Sequence, residues 1–149
     1  MRKIVKIAAV AAFAVASVGY IANAESHVMM MSDSAAEDLM KSNGAAVGTL
    51  AKMAKGDIAF DAAAAEAAKQ TLITNAQGIG EAFKAPFEEA DAEALPAIWE
   101  NMDGFLAKAK AFEDAATALD VTSAETVGAG LGMVGGACGG CHKEYRKPS

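Results

Sequence analysis

Four apolar stripes of helical period, joined by short links, decide what this chain can fold into. The first begins at Ser34, with Glu37 three residues on, a pairing that reads as a capping box. Its stripe is Ala36, Met40, Asn43, Val47, Leu50 and Ala54, and it ends at Gly56, a residue suited to the position just past a helix. The second starts near Asp61, an N-cap residue type, carries Ala65, Leu72, Ala76, Ile79 and Phe83, and stops before Pro86. An acidic loop is expected over 85–94. Pro96 then stands at a first helical turn, where its missing N–H costs nothing. The third stripe follows as Ile98, Met102, Phe105, Ala109, Phe112, Ala116 and Leu119. The fourth opens at Thr122 with Glu125, which reads as a second capping box, and runs through Val127, Leu131, Val134, Cys138, Cys141 and Tyr145. No segment alternates with a period of two, and alanine, the best helix former, dominates the composition. Segments of about 20 residues span roughly 30 Å, and short links between such helices make antiparallel neighbours. The predicted fold is all-α, an antiparallel up-down-up-down four-helix bundle.

What precedes the first stripe reads as a targeting signal. Arg2, Lys3 and Lys6 form a positive start, an apolar run extends from Ile7 to about Val18, and Ala22-Asn23-Ala24 fits the small-x-small cleavage rule. The run is short for a membrane span, which needs about 20 apolar residues. The expected organisation is a cleaved signal peptide over 1–24, a flexible tail over 25–32 that contains Met29 to Met31, and one domain over 33–149. Cleavage would place the protein in the periplasm, with no membrane span left. It would also remove three of the 13 cations and leave 10 Lys and Arg against 19 Asp and Glu, a net charge of −9. So acidic a chain is a poor partner for nucleic acid.

The chemistry lies at the far end. Cys138-Gly139-Gly140-Cys141-His142 is C-x-x-C-H, the attachment sequence for a c-type haem. Positions three apart share a helix face, so both thiols can reach the two vinyl groups on one porphyrin edge. His142 is then placed to put an imidazole nitrogen on the iron. Gly139 and Gly140 leave no side chain in the way. One motif implies one haem c, covalently attached. A thioredoxin-like dithiol would need a βαβ setting, and a zinc site would need four ligands, while the only other histidine is His27 in the expected tail. A plain disulfide in a cofactor-free helical interaction protein is the remaining alternative. Just upstream, Gly130-Leu131-Gly132-Met133-Val134-Gly135 matches G-x-G-x-x-G, which signifies dinucleotide binding only between a strand and a helix. Inside a helical stripe these glycines instead suit close approach to the haem or to a neighbouring helix.

A haem motif at the end of an exported four-helix chain resembles the class II cytochromes c, the cytochrome c′ family. Met40-Lys41 with Asn43-Gly44, Lys55-Gly56 followed by Phe60-Asp61, Ile98-Trp99, and the run from Cys138 to Arg146 carry the resemblance over essentially all of the chain after residue 24. It implies a periplasmic haem protein, in many members a homodimer through the first two helices, with haem lodged inside the bundle and His142 on one side of the iron. It implies a haem propionate as the partner of Arg146. On packing grounds alone that residue is equally a solvated cation favoured by the helix dipole.

The resemblance also leaves two functions open, and Met40 separates them. In low-spin members a methionine at this first-helix position ligates iron, and the protein transfers electrons to a redox partner. In high-spin members the residue there only fills space beside a five-coordinate iron that binds nitric oxide or carbon monoxide. Many high-spin members carry an arginine four residues earlier, where this chain has Ala36. That departure favours ligation by Met40 and leaves Glu37 as the nearest polar contact for the haem on this side. Phe83, Trp99 and Phe105 are further candidates for the pocket wall, although plain aromatic core packing accounts for them better. Tyr145 lies on the haem stripe. No catalytic residues are expected, since such a protein holds and tunes its iron and performs no bond chemistry of its own.

Overall fold

In the computed structural model the backbone is described for residues 34–87 and 92–148. The expected signal peptide, its cleavage site, His27 and the tail with Met29 to Met31 lie outside the described residues. So do positions 88–91 of the acidic loop and the side chain of Ser34, on which the first expected capping box rests.

The described residues form four long helices and one short one: α1 (Ser34–Lys55), α2 (Ala62–Ala82), α3 (Ala97–Glu100), α4 (Met102–Ala118) and α5 (Ala124–Tyr145). The predicted bundle is the observed fold. α1 packs on α2 and α5, and α4 packs on the same two, so the four long helices close a ring around one core. The boundaries follow local chemistry. Gly56 takes φ of 77°, the left-handed conformation that only glycine adopts without strain, and stops α1. The Asp61 carboxylate accepts from Ala64 N at 2.8 Å and starts α2.

Two boundaries differ from expectation. The third segment is not continuous. The backbone of Asn101 leaves the helical region (φ −141°, ψ 65°), and its side chain accepts from Gly104 N at 3.1 Å, so Asn101 ends α3 and caps α4. The apolar stripe survives this break, because one turn is simply restarted. The fourth long helix is capped by Ser123, not Thr122. Ser123 Oγ accepts from Thr126 N, and Thr126 Oγ1 accepts from Ser123 N, both at 3.1 Å. Thr122 is engaged elsewhere, its N–H and hydroxyl both donating to Asp120.

The stripes meet at the centre. Leu50, Leu72, Ile98, Leu119, Val127 and Val134 are the large side chains fully removed from solvent. Each such burial is worth about 1.5–3 kcal/mol. Asn43 is the one buried polar residue of the described core, and its side-chain oxygen accepts from Asn75 Nδ2 at 2.9 Å, which ties α1 to α2. Close helix approach at the fourth-stripe glycines holds at Gly130, where an added Cβ would stand 2.5 Å from Leu119 Cδ1. Gly132 and Gly135 face open space.

Candidate functional site

The end of the bundle that carries the C-x-x-C-H motif opens into a cleft of about 400 Å³, within the range of small-molecule and cofactor sites. α1 contributes Ala36, Glu37 and Met40 to its lining. α5 contributes Cys141, His142 and Tyr145, and Arg146 follows just past the helix end. Phe83, Ile98 and Phe105 supply apolar wall from the remaining elements. The structure therefore brings together Met40, Glu37, Phe83, Cys141, His142 and Arg146, all picked out from sequence. Cys138 sits one turn earlier on the same helix, half-buried against the core beside the cleft.

The aromatic side chains form one chain of contacts. Tyr145 meets Phe105 edge-on at 5.2 Å between ring centroids, Phe105 meets Phe83 at 5.2 Å, and Phe83 meets Phe87 at 5.4 Å. Phe87 in turn meets Trp99 at 5.4 Å. Trp99 is the one aromatic candidate that does not line the cleft. Its ring supports Phe87 from outside, and its indole N–H donates to Phe83 O at 2.9 Å. It fixes the wall without forming it.

Four lining residues carried no sequence signal. Phe87, Ala92, Glu93 and Ala94 come from the connection between α2 and α3. An isolated antiparallel bridge joins Ala94 to Arg146, Leu95 N donates to Tyr145 O at 2.9 Å, and Lys147 N donates to Glu93 O at 2.7 Å. The end of the expected acidic loop is thus stitched to the end of the motif-bearing helix. Arg146 donates to the Glu93 carboxylate as well, where the resemblance implies a haem propionate as its partner.

Burial shapes the ionisation of the motif. It raises the Cys138 thiol above its ordinary value and pushes Cys141 up to about 11, the neighbouring Cys138 adding to the effect. Burial likewise lowers the His142 pKa, with Arg146 acting in the same direction. A neutral imidazole is the form that binds iron. Space is clear beside Gly139 and Gly140, where an added Cβ would meet nothing within 4 Å. Among the described residues no group of three or more His, Cys, Asp or Glu side chains could hold a metal ion. The apolar wall, two thiols and one imidazole fit a macrocycle that would supply an iron with its other ligands. No described helix is long and apolar enough to cross a membrane.

Comparison with known proteins agrees. The family model described as Cytochrome C′ matches residues 34–146. A cytochrome c-556 of Agrobacterium tumefaciens (strain apple 185) is 42% identical over 111 residues, which cover 72% of this chain and 88% of the relative. A cytochrome c′ of Cereibacter sphaeroides is 40% identical over 106 residues, covering 66% of this chain and 71% of the relative. Among solved structures, a cytochrome c′ from Rhodobacter Spheriodes superposes with a TM-score of 0.70 at 33% identity, over 78% of this chain and 95% of its own. A ferrous cytochrome c′ variant from Alcaligenes xylosoxidans with bound NO does so with a TM-score of 0.68 at 27% identity, over 78% and 94%. These matches define the class, a four-helix-bundle protein with one covalently attached haem c. The chain belongs to the cytochrome c′ family.

Proposed function

We propose that this protein is a periplasmic electron carrier whose single haem would be bound through thioethers to Cys138 and Cys141, with His142 and Met40 as the side chains that would hold the iron. The observation that carries this reading is the meeting of Met40 and His142, from α1 and α5, in one cleft with apolar walls. When bound, the haem supplies a one-electron iron couple whose potential depends on axial ligand and burial. The residues around it do the rest. Burial, and after it the Arg146 charge, lower the His142 pKa and so favour the neutral ring. Phe83, Ile98 and Phe105 exclude water from the centre. Met40 offers a soft thioether that favours the reduced state. Glu37 and Arg146 stand at the polar part of the lining. The same reading takes residues 1–24 as a cleaved signal, 25–32 as a tail and 33–149 as the haem domain, with a redox partner that docks near the haem edge. A homodimer through α1 and α2 is consistent with it.

A second reading has a specific observation in its favour. The Alcaligenes xylosoxidans protein whose fold this chain shares holds nitric oxide. In that case Met40 fills space beside a five-coordinate iron and the protein captures small gases. The optical spectrum of the ferrous holoprotein, with and without carbon monoxide, separates the two. A low-spin spectrum that ignores the gas is expected. A high-spin spectrum that shifts on its addition would assign the protein to gas binding.

A further inference from the structure

We infer that Glu93 is a positioning residue for the electrostatics of the iron centre: paired with Arg146 at the cleft, its carboxylate biases the bound iron toward the oxidised state. The inference rests on His142 being the iron ligand.

The placement of Glu93 is fixed on both sides. Its carbonyl accepts from Lys147 N at 2.7 Å, the next residue, Ala94, bridges to Arg146, and Leu95 N reaches Tyr145 O at 2.9 Å. Its carboxylate Oε2 accepts from both Nε and an Nη of Arg146, each at 2.8 Å. Three backbone contacts and two side-chain contacts thus hold an acid from the α2–α3 connection against Arg146, which stands one helical turn past His142. Glu93, Arg146 and His142 line the same cleft.

Stability does not account for this arrangement. The two side chains are 64% and 38% exposed, and ion pairs so exposed contribute little to folding. Their charges at the cleft are more informative. Arg146 sets a positive charge and Glu93 a negative one in the lining that His142 shares. Iron bound to that ring gains one positive charge on oxidation, which a negative neighbour favours and a positive one opposes. Glu93 stabilises the ferric centre and Arg146 the ferrous one. Arg146 also donates to Glu93 and holds its carboxyl below the ordinary carboxylate range, which keeps the acid charged at neutral pH. The other acid in the lining, Glu37, is paired with Lys41 on its own helix at 2.6 Å.

The test is an optical redox titration of haem-bearing protein against a mediator couple at low ionic strength, for wild type, Glu93→Gln, Arg146→Gln and the double variant. Glu93→Gln keeps the size of the side chain and one hydrogen-bond acceptor and removes the charge. The midpoint potential is expected to move positive in Glu93→Gln, negative in Arg146→Gln, and to lie between the two in the double variant. Both shifts shrink at high salt, because the pair is open to solvent. Shifts of the same sign, or no shift in Glu93→Gln, would overturn the inference. A merely structural role would change melting temperature without this sign reversal. Failure of the underlying reading looks different, since a wild-type protein without haem, or a spectrum unaltered by His142→Gly, would remove the iron ligand itself.

Discussion

The hydroxyl of Tyr145 lies 2.9 Å from the point where a side chain on Gly104 would begin. The same point is crowded by the Asn101 amide that caps α4. Tyr145 is buried, belongs to the last turn of the haem-motif helix, and packs edge-on against Phe105. The glycine therefore lets that turn close against the start of α4. Gly104→Ala is expected to destabilise the protein by about 1–3 kcal/mol, the usual cost of overpacking. Thermal or urea unfolding measures it.

Glycines on the open side of α5 should behave in the opposite way. An added Cβ at Gly132 or Gly136 meets nothing within 4 Å, and both residues are exposed. Replacing either with alanine removes the entropy cost of a mid-helix glycine and should stabilise by roughly 0.5–1 kcal/mol. Loss of stability in these variants, read by the same unfolding curves, would mean that the face is packed against something in solution.

The cap of α5 offers a local test. Ser123→Ala removes the oxygen that accepts from Thr126 N and should cost about 1 kcal/mol. Thr122→Ala, one residue earlier, should cost less, because Thr122 caps only a turn through Asp120. Urea midpoints of the two variants order them directly.

These caps mark how far the sequence was readable. The bundle was legible in the apolar stripes and the short links between them, and Gly56 and Asp61 end and begin helices as their chemistry dictates. Thr122 and Ser123 are both good cap residues in the sequence, and only the competition from Asp120 separates them. The break at Asn101 was hidden, since a helix that restarts in register keeps its apolar pattern intact. In the site, the α1 and α5 residues were legible from the motif and the facing stripe. Glu93 and Phe87 were not. They lie in a connection whose pairing with Arg146 and whose ring contacts leave no periodic trace in sequence.

Met40 decides the kind of haem protein. If its sulfur ligates iron, Met40→Ala opens the sixth position, and the ferrous variant should acquire a spectral response to carbon monoxide that wild type lacks. The loss of a partly buried methionine should also cost stability, at the lower end of about 2–5 kcal/mol. Identical spectra for variant and wild type would exclude Met40 as a ligand.

The central claim is that one haem is joined to Cys138 and Cys141. It is tested most directly by intact-mass and peptide mass spectrometry of protein made in a periplasm with haem-attachment machinery. The expected result is the added mass of a single haem, carried by the peptide that contains both cysteines. A chain of unmodified mass, with the two sulfurs free or joined to each other, would contradict it.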